Sequence, residues 1–181
     1  MFREDRATAA AWRFVELHGG SIPHVKLMKL LYFVERRWLI ERGTTIFEDS
    51  FFAMDEGPVL SEVYNCMKDP SNGTSVSDTW RLVLSPIDNE TITRKGELNP
   101  SQYLTRAQLK LVDAIWDQYG SMSKDEIVKE AHQLPEWNAL QGSSIFIKYI
   151  LVLEKELDAP EATAKTRTAL TQQRITGAFG G

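Results

Sequence analysis

VKLMKLLYFVERRWLIER, residues 25–42, is the stretch that decides the fold. Its large apolar side chains recur at helical spacing and cover more than half of the circumference, which predicts a central helix packed on several sides. Pro23 favours a helix that starts just before this stretch, and Gly43 favours an end just after it. One narrow face breaks the apolar pattern. We call it the basic stripe, and its members are Lys26, Lys29, Phe33, Arg36 and Arg37.

The basic stripe has two interpretations. In the first it is a solvated edge of the helix, whose long cationic side chains cover apolar neighbours with their aliphatic stems. In the second it is a strip that binds a partner, with Phe33 as the anchor and the cations around it. The sequence leaves both open.

The residues on either side of the central helix add further elements. Upstream, residues 5–18 predict a helix that ends at the glycine pair 19–20. Downstream, the apolar run 51–54 predicts a strand, and the Gly-Pro pair 57–58 predicts a turn. The apolar residues spaced between positions 60 and 67 predict another helix.

The middle of the chain changes character. Residues 69–75 have the composition of a loop. Residues 80–84 show an alternating pattern and are rich in β-prone side chains. A turn-like segment follows, and residues 91–94 are again β-prone. We therefore predict a small β-hairpin here.

The last third is predicted to be helical again. Thr105 with Gln108 and Ser123 with Glu126 have the spacing of capping boxes, which open helices. A final helix is predicted over residues 145–157, where apolar residues return at helical spacing.

From residue 159 onward large apolar residues are few, and Ala, Thr and Gln dominate. This composition predicts a disordered C-terminal tail over residues 159–181. Residues 1–158 are predicted to form one compact domain of the α+β class, a mainly α-helical bundle with a small β-hairpin.

Charge distribution limits the kind of partner. The chain has 181 residues and a net charge of −4. Residues 1–42 hold eight Lys/Arg against five Asp/Glu, whereas residues 43–158 hold ten against nineteen. Such an acidic body makes nucleic acid an unlikely partner, because a phosphate-backbone binder normally carries a basic surface.

Cys66 is the single cysteine, so an internal disulfide is excluded. No stretch has the pattern of a signal peptide or a membrane span, so we expect a cytoplasmic protein without membrane contact. The sequence has no enzyme motif such as a Walker loop or a G-x-S-x-G elbow, and we expect no catalysis, cofactor or metal.

Two blocks of sequence carry a family resemblance. KLMKLLYFVERRWLIERG with FEDSFFAMDEGPVLSEVYNCMK forms the first block, and MSKDEIVKEAHQLPEW forms the second. In this order they resemble the Panacea domain family of SocA-like antitoxins and GepA-like phage-associated proteins, over roughly residues 8–157. Besides Lys26 and Lys29, the matching positions of the first block include Tyr32, Gly57, Pro58, Val59 and Tyr64.

The resemblance implies the antitoxin half of a bacterial or prophage toxin–antitoxin pair. Such an antitoxin neutralises a cognate protein toxin by direct binding, and SocA-like members also act as adaptors that deliver the toxin to a protease. The alternative function is a DNA-binding regulator of its own operon, which the basic stripe suggests. The length and apolar surface of the central helix fit a helix-turn-helix poorly.

His132 lies in the second block, just before QLPEW. We expect His132 to have a structural role at the end of its helix, with Trp137 packed against the imidazole ring. The alternative is that His132 contacts a partner. His132 and Trp137 therefore join the basic stripe as candidate partner-binding residues. A hydrolase that uses His132 with Asp55 or Glu56 is the third class of function considered.

Overall fold

The computed structural model describes residues 1–68, 78–138 and 145–179. The loop predicted at residues 69–75 lies outside the described residues. The helices of the described residues are α1 (Glu4–Leu17), α2 (His24–Arg42), α3 (Ser61–Met67), α4 (Asp78–Val83), α5 (Arg106–Tyr119), α6 (Lys124–His132), α7 (Pro135–Asn138), α8 (Tyr149–Leu153) and α9 (Ala159–Phe179). The strands are β1 (Ser21–Pro23), β2 (Phe51–Met54), β3 (Gly57–Leu60), β4 (Thr91–Thr93) and β5 (Ile145–Ile147). The mainly helical α+β class is confirmed.

Helix α2 runs through the centre of the fold, as its pattern predicts. It packs against α1, α5, α6, α8, α9 and strand β3. Many of its apolar side chains are fully buried, among them Leu27, Leu30 and Leu31. The helix ends at Gly43, whose φ of +66° is the left-handed conformation that lets its N–H donate back to Leu39.

A three-stranded antiparallel sheet lies beside α2, in the order β3–β2–β5. The predicted strand at Phe51–Met54 is confirmed, and it forms a hairpin with β3. Asp55 and Glu56 make the turn of this hairpin, and Gly57 closes it with a φ of +99°. Residues 51–60 therefore contain a small hairpin that differs in place from the predicted one.

The hairpin predicted at residues 80–84 and 91–94 is wrong in its first arm. Residues 78–83 form helix α4, and β4 pairs with β1; of the predicted pairing, a single antiparallel bridge between Leu84 and Arg94 is present. The Glu4 carboxylate accepts a hydrogen bond from the backbone N–H of Trp80 at 2.8 Å, and the Trp80 side chain is buried. These distant contacts favour a helix that the local β-prone pattern does not predict.

Both capping boxes are confirmed. The Thr105 hydroxyl accepts from the Gln108 N–H at 3.3 Å, and the Gln108 side chain accepts from the Thr105 N–H at 2.9 Å. Ser123 and Glu126 make the same reciprocal pair at the start of α6. Each box satisfies two donors that a helix start leaves without partners.

The C-terminal third differs from the predictions in two places. Residues 145–147 form strand β5 rather than a helix start, because they pair with β2. The segment predicted to be a disordered tail contains α9, which packs on α8 and α2. Small side chains allow this close packing: Ala162 and Ala169 are fully buried. The Gln172 side chain accepts from the Thr45 N–H at 2.9 Å and donates to the Thr45 carbonyl at 3.0 Å. Polar contacts of this kind hold α9 where large apolar side chains are few.

Candidate functional site

The N-terminal half of the basic stripe is buried. Lys26 is 4% exposed and donates to the Gly120 carbonyl at the end of α5 at 2.8 Å. Lys29 is 1% exposed and donates to the Pro58 carbonyl in β3 at 2.9 Å. The Phe33 ring packs against Tyr119, with 4.6 Å between ring centroids.

The C-terminal half of the basic stripe bonds to α7 and α5. Arg36 makes a bidentate pair with the buried Glu136 carboxylate, at 2.7 and 3.2 Å. Tyr32 donates its hydroxyl to the same carboxylate at 3.0 Å. Arg36 also reaches Glu156, and Arg37 donates to the Gln118 side chain.

Within the basic stripe, Lys26, Lys29 and Phe33 are therefore buried, whereas Arg36 and Arg37 are half-buried and bond to side chains of other elements. The solvated edge is thus wrong for Lys26, Lys29 and Phe33, because α5, α6 and β3 pack on α2 and Glu136 of α7 bonds to it. Partner binding by the stripe stays a prediction. Charged groups tolerate such burial only where carbonyls or carboxylates accept their hydrogen bonds, as they do here. We call this set of contacts the α2 clamp; its donors are Lys26, Lys29, Tyr32 and Arg36, and its acceptors are Gly120, Pro58 and Glu136.

His132 and Trp137 hold the turn of the β2–β3 hairpin. Their rings stack at 4.0 Å with an interplanar angle of 8°, which confirms the predicted packing. The Trp137 indole donates to the Met54 carbonyl at 2.8 Å. A side chain added at Gly57 would place its Cβ 3.3 Å from both the His132 ring and the Lys29 amine. The two sequence blocks thus meet at this hairpin.

A pocket of about 230 Å³ lies between the start of α2 and the hairpin. Its apolar lining consists of Val25, Met28, Met54 and Val59. Its polar lining consists of His24, Lys29, Asp55, Glu56 and Tyr64. Burial lowers the pKa of Lys29 to about 7, with Glu56 acting in the opposite direction. At neutral pH this amine is therefore only partly charged.

An apolar surface adjoins the pocket, and we call it the hairpin face. Its members lie on one side of the sheet, because Val59 and Phe146 both pair with Phe52 and Met54 follows two residues later. The Phe52 and Phe146 rings meet edge-to-face at 5.6 Å, yet Phe146 remains 48% exposed. The full set is Phe52, Met54, Val59 and Phe146.

Phe146 is the residue that the sequence analysis missed. The helical interpretation of residues 145–157 placed it inside a helix, where its exposure has no special meaning. The signal was present in the triplet Ile-Phe-Ile at 145–147, which is β-branched and aromatic and therefore β-prone.

Two buried carboxylates hold the segment that leads from α2 into β2. Glu35 accepts from the N–H groups of Ile46 and Phe47 at 2.7 and 2.9 Å, and burial raises its pKa to about 8. Asp49 accepts from the N–H of Val63 at the start of α3 at 2.8 Å, and burial raises its pKa to about 6. These contacts fix the base of the hairpin.

Among the described residues, the buried Nε2 of His132 has no hydrogen-bond partner, so it is not paired with Asp55 or Glu56. Its ring stacks on Trp137, whereas Asp55 and Glu56 line the pocket, to which His132 does not contribute. Burial raises the pKa of the Cys66 thiol. Within the described ranges, no cluster of three or more His, Cys, Asp or Glu side chains could hold a metal ion. Likewise, none of the described helices combines the length and apolarity needed to cross a membrane.

Comparison with known proteins identifies a family. A family model described as "Antitoxin SocA-like, Panacea domain" matches residues 27–138. The matched span runs from α2 to α7 and so contains all donors and acceptors of the α2 clamp except Lys26. No curated protein and no solved structure matches the chain.

Proposed function

The chain belongs to the SocA-like, Panacea-domain antitoxin family, and on this premise we propose that it neutralises a cognate protein toxin by binding it with the hairpin face. The exposed Phe146 beside Phe52 is the observation that supports this choice of surface most strongly. Aromatic side chains that stand partly out of a rigid surface are typical anchors of protein interfaces.

The rigidity of the hairpin supports the same surface. Lys29 bonds to β3, and Trp137 bonds to the last residue of β2. A surface held in its binding conformation loses little conformational entropy on association. The α2 clamp therefore serves binding by positioning the hairpin face, not by contacting the toxin.

The open edge of the sheet adds a second feature. In the strand order β3–β2–β5, the outer edge of β5 has no strand partner among the residues that the structure describes. A toxin segment that pairs with this edge would gain backbone hydrogen bonds next to Phe146.

The DNA-binding alternative loses the feature that suggested it. Lys26, Lys29 and Arg36 donate to groups inside the protein, so they do not form a surface for phosphates. We infer that the protein acts by binding rather than catalysis, in the cytoplasm, and as one component of a bacterial or prophage toxin–antitoxin pair.

Coexpression with the product of the adjacent gene tests the proposal. The wild-type chain is expected to rescue growth and to copurify with that product. Phe146→Ser is expected to weaken binding by about 30-fold, which corresponds to ~2 kcal/mol at an interface anchor. Leu82→Ser is the matched control, because Leu82 is 70% exposed on α4. Equal binding by both variants would remove the hairpin face from the mechanism.

The proposal includes delivery of the toxin to a protease, as in SocA-type adaptors. The half-life of the toxin, measured with and without the chain, tests this part separately. A shortened half-life supports the adaptor role. Rescue of growth with an unchanged half-life restricts the mechanism to steric neutralisation.

A further inference from the structure

The pocket beside the hairpin face has apolar walls and carboxylates at one end, an arrangement that favours some toxin side chains over others. Its walls are apolar, with Val25 and Met28 from α2 facing Met54 and Val59 from the hairpin. Two carboxylates of the turn, Asp55 and Glu56, also line it, and both residues are exposed. An apolar shaft that opens at carboxylates is complementary to a long side chain with a cationic head.

The carboxylates are available to such a head group. Neither Asp55 nor Glu56 takes part in an ion pair with the described residues. Lys29 also lines the pocket, but its amine donates to the Pro58 carbonyl. It interacts with Glu56 by long-range electrostatics and not by a contact ion pair. A guest cation would be the first to form a contact pair with them.

The remaining polar lining tolerates a cation. Burial leaves the Lys29 amine largely neutral above its pKa of about 7, which reduces repulsion of a second cation. Tyr64 already receives the ammonium of Lys68 at 3.8 Å from its ring centroid, so the aromatic wall interacts with cations within this protein. The volume of about 230 Å³ equals roughly eight water volumes of ~30 Å³, enough for one extended side chain.

We propose that this pocket binds a lysine or arginine side chain of the toxin, with its aliphatic stem between the methionine and valine walls and its charged head at Asp55 and Glu56. The inference rests on the proposed function for the identity of the guest. An acidic guest is disfavoured, because it would have to pass both carboxylates.

A small probe tests the pocket without the toxin. N-acetyl-arginine amide is titrated into the full chain at pH 8 and followed by NMR, with N-acetyl-norleucine amide and N-acetyl-glutamate amide as comparisons. Only the arginine compound is expected to shift the resonances of residues 24–29 and 54–64. Asp55→Asn/Glu56→Gln is expected to weaken its binding at least tenfold. Equal binding of the norleucine or glutamate compound, or no shift at these residues, would overturn the inference.

The toxin provides the second arm of the test. Asp55→Asn/Glu56→Gln is expected to weaken toxin binding at least tenfold, whereas Asp125→Asn/Glu130→Gln removes the same charge from two exposed positions of α6 and is expected to leave it unchanged. Failure of the wild-type chain to bind any adjacent-gene product would contradict the proposed function. Tight binding that is insensitive to Asp55→Asn/Glu56→Gln would contradict this inference alone.

Discussion

The basic stripe of α2 and the hairpin face have environments opposite to those their compositions suggest. The stripe contains cations, yet Lys26 and Lys29 are almost completely buried. The hairpin face is apolar, yet Phe146 is 48% exposed. The difference separates two tasks: charged side chains hold the fold together from inside, and we propose that the exposed aromatic side chain binds a partner. Substitutions in the two regions should therefore have different consequences for stability and for binding.

The largest effect on stability is expected at the acceptor of the α2 clamp. Glu136→Ala leaves Arg36 and the Tyr32 hydroxyl without their buried partner, so the free energy of unfolding should fall by about 3–5 kcal/mol. Glu156→Ala is the matched control, because Glu156 also pairs with Arg36 but is 38% exposed. It should cost less than ~1 kcal/mol. Chemical denaturation of both variants measures this, and similar losses would mean that the buried pair has no special weight.

The next effect depends on pH and concerns Lys29. Its folded-state pKa of about 7 lies below the ordinary 10.5, so the unfolded chain binds more protons between these values. The contribution of Lys29 to stability therefore rises with pH in this window and is lost as the pH falls through 7. The difference in unfolding free energy between wild type and Lys29→Met should change by up to ~1.4 kcal/mol per pH unit from pH 7 to 9.

The difference in unfolding free energy between wild type and Lys29→Met reports on the Lys29 amine alone, because Glu35 titrates in both proteins. Its raised pKa lowers stability as the pH rises towards 8, in both proteins. Lys110→Met, which removes an exposed lysine of α5, is the matched control. A flat difference for Lys29→Met would show that the Lys29 amine keeps its charge in the pocket.

A smaller effect is expected where the hairpin touches the clamp. Gly57→Ala and Gly19→Ala both place a side chain at positive φ, +99° and +92° respectively. Only the new Cβ at position 57 meets neighbours, at 3.3 Å from Ala131, His132 and Lys29. Thermal or chemical denaturation should show Gly57→Ala less stable than Gly19→Ala by about 1 kcal/mol. Equal stability would mean that the contact between hairpin and α6 adjusts without cost.

The smallest effect on stability is expected on the hairpin face. Phe146→Ser should lower the free energy of unfolding by less than ~1 kcal/mol, because half of the side chain is exposed and its described ring contact is with Phe52. A loss above 2 kcal/mol would show that Phe146 stabilises the sheet, and the loss of toxin binding in this variant would then have a structural explanation.

Sequence alone predicts the elements whose signals are local. The central helix, both capping boxes and strand β2 follow from side-chain period or from residues three apart. The errors share one cause, which is that distant residues decide the outcome. Glu4 caps Trp80, β2 recruits Ile145–Ile147, and Thr45 binds Gln172 of the segment predicted to be disordered.

The candidate site shows the same limit. The two motif blocks are recognisable in the sequence, and their residues do meet in the structure. Their environment is not recognisable, because a lysine beside leucines is compatible with a solvated edge as well as with a buried hydrogen bond to Pro58. Phe146 was missed because its exposure depends on its pairing with Phe52 across the sheet.

Hydrogen exchange of the full chain, alone and bound to its toxin, tests the central claim most directly. The amides of residues 51–60 and 145–147 are predicted to exchange at least tenfold more slowly in the complex. The amides of α2 are predicted to be slow in both states and unchanged by the toxin, since the clamp already holds them. Slower exchange confined to α4, α5 or α9, with unchanged rates in the hairpin and β5, would contradict the assignment of binding to the hairpin face.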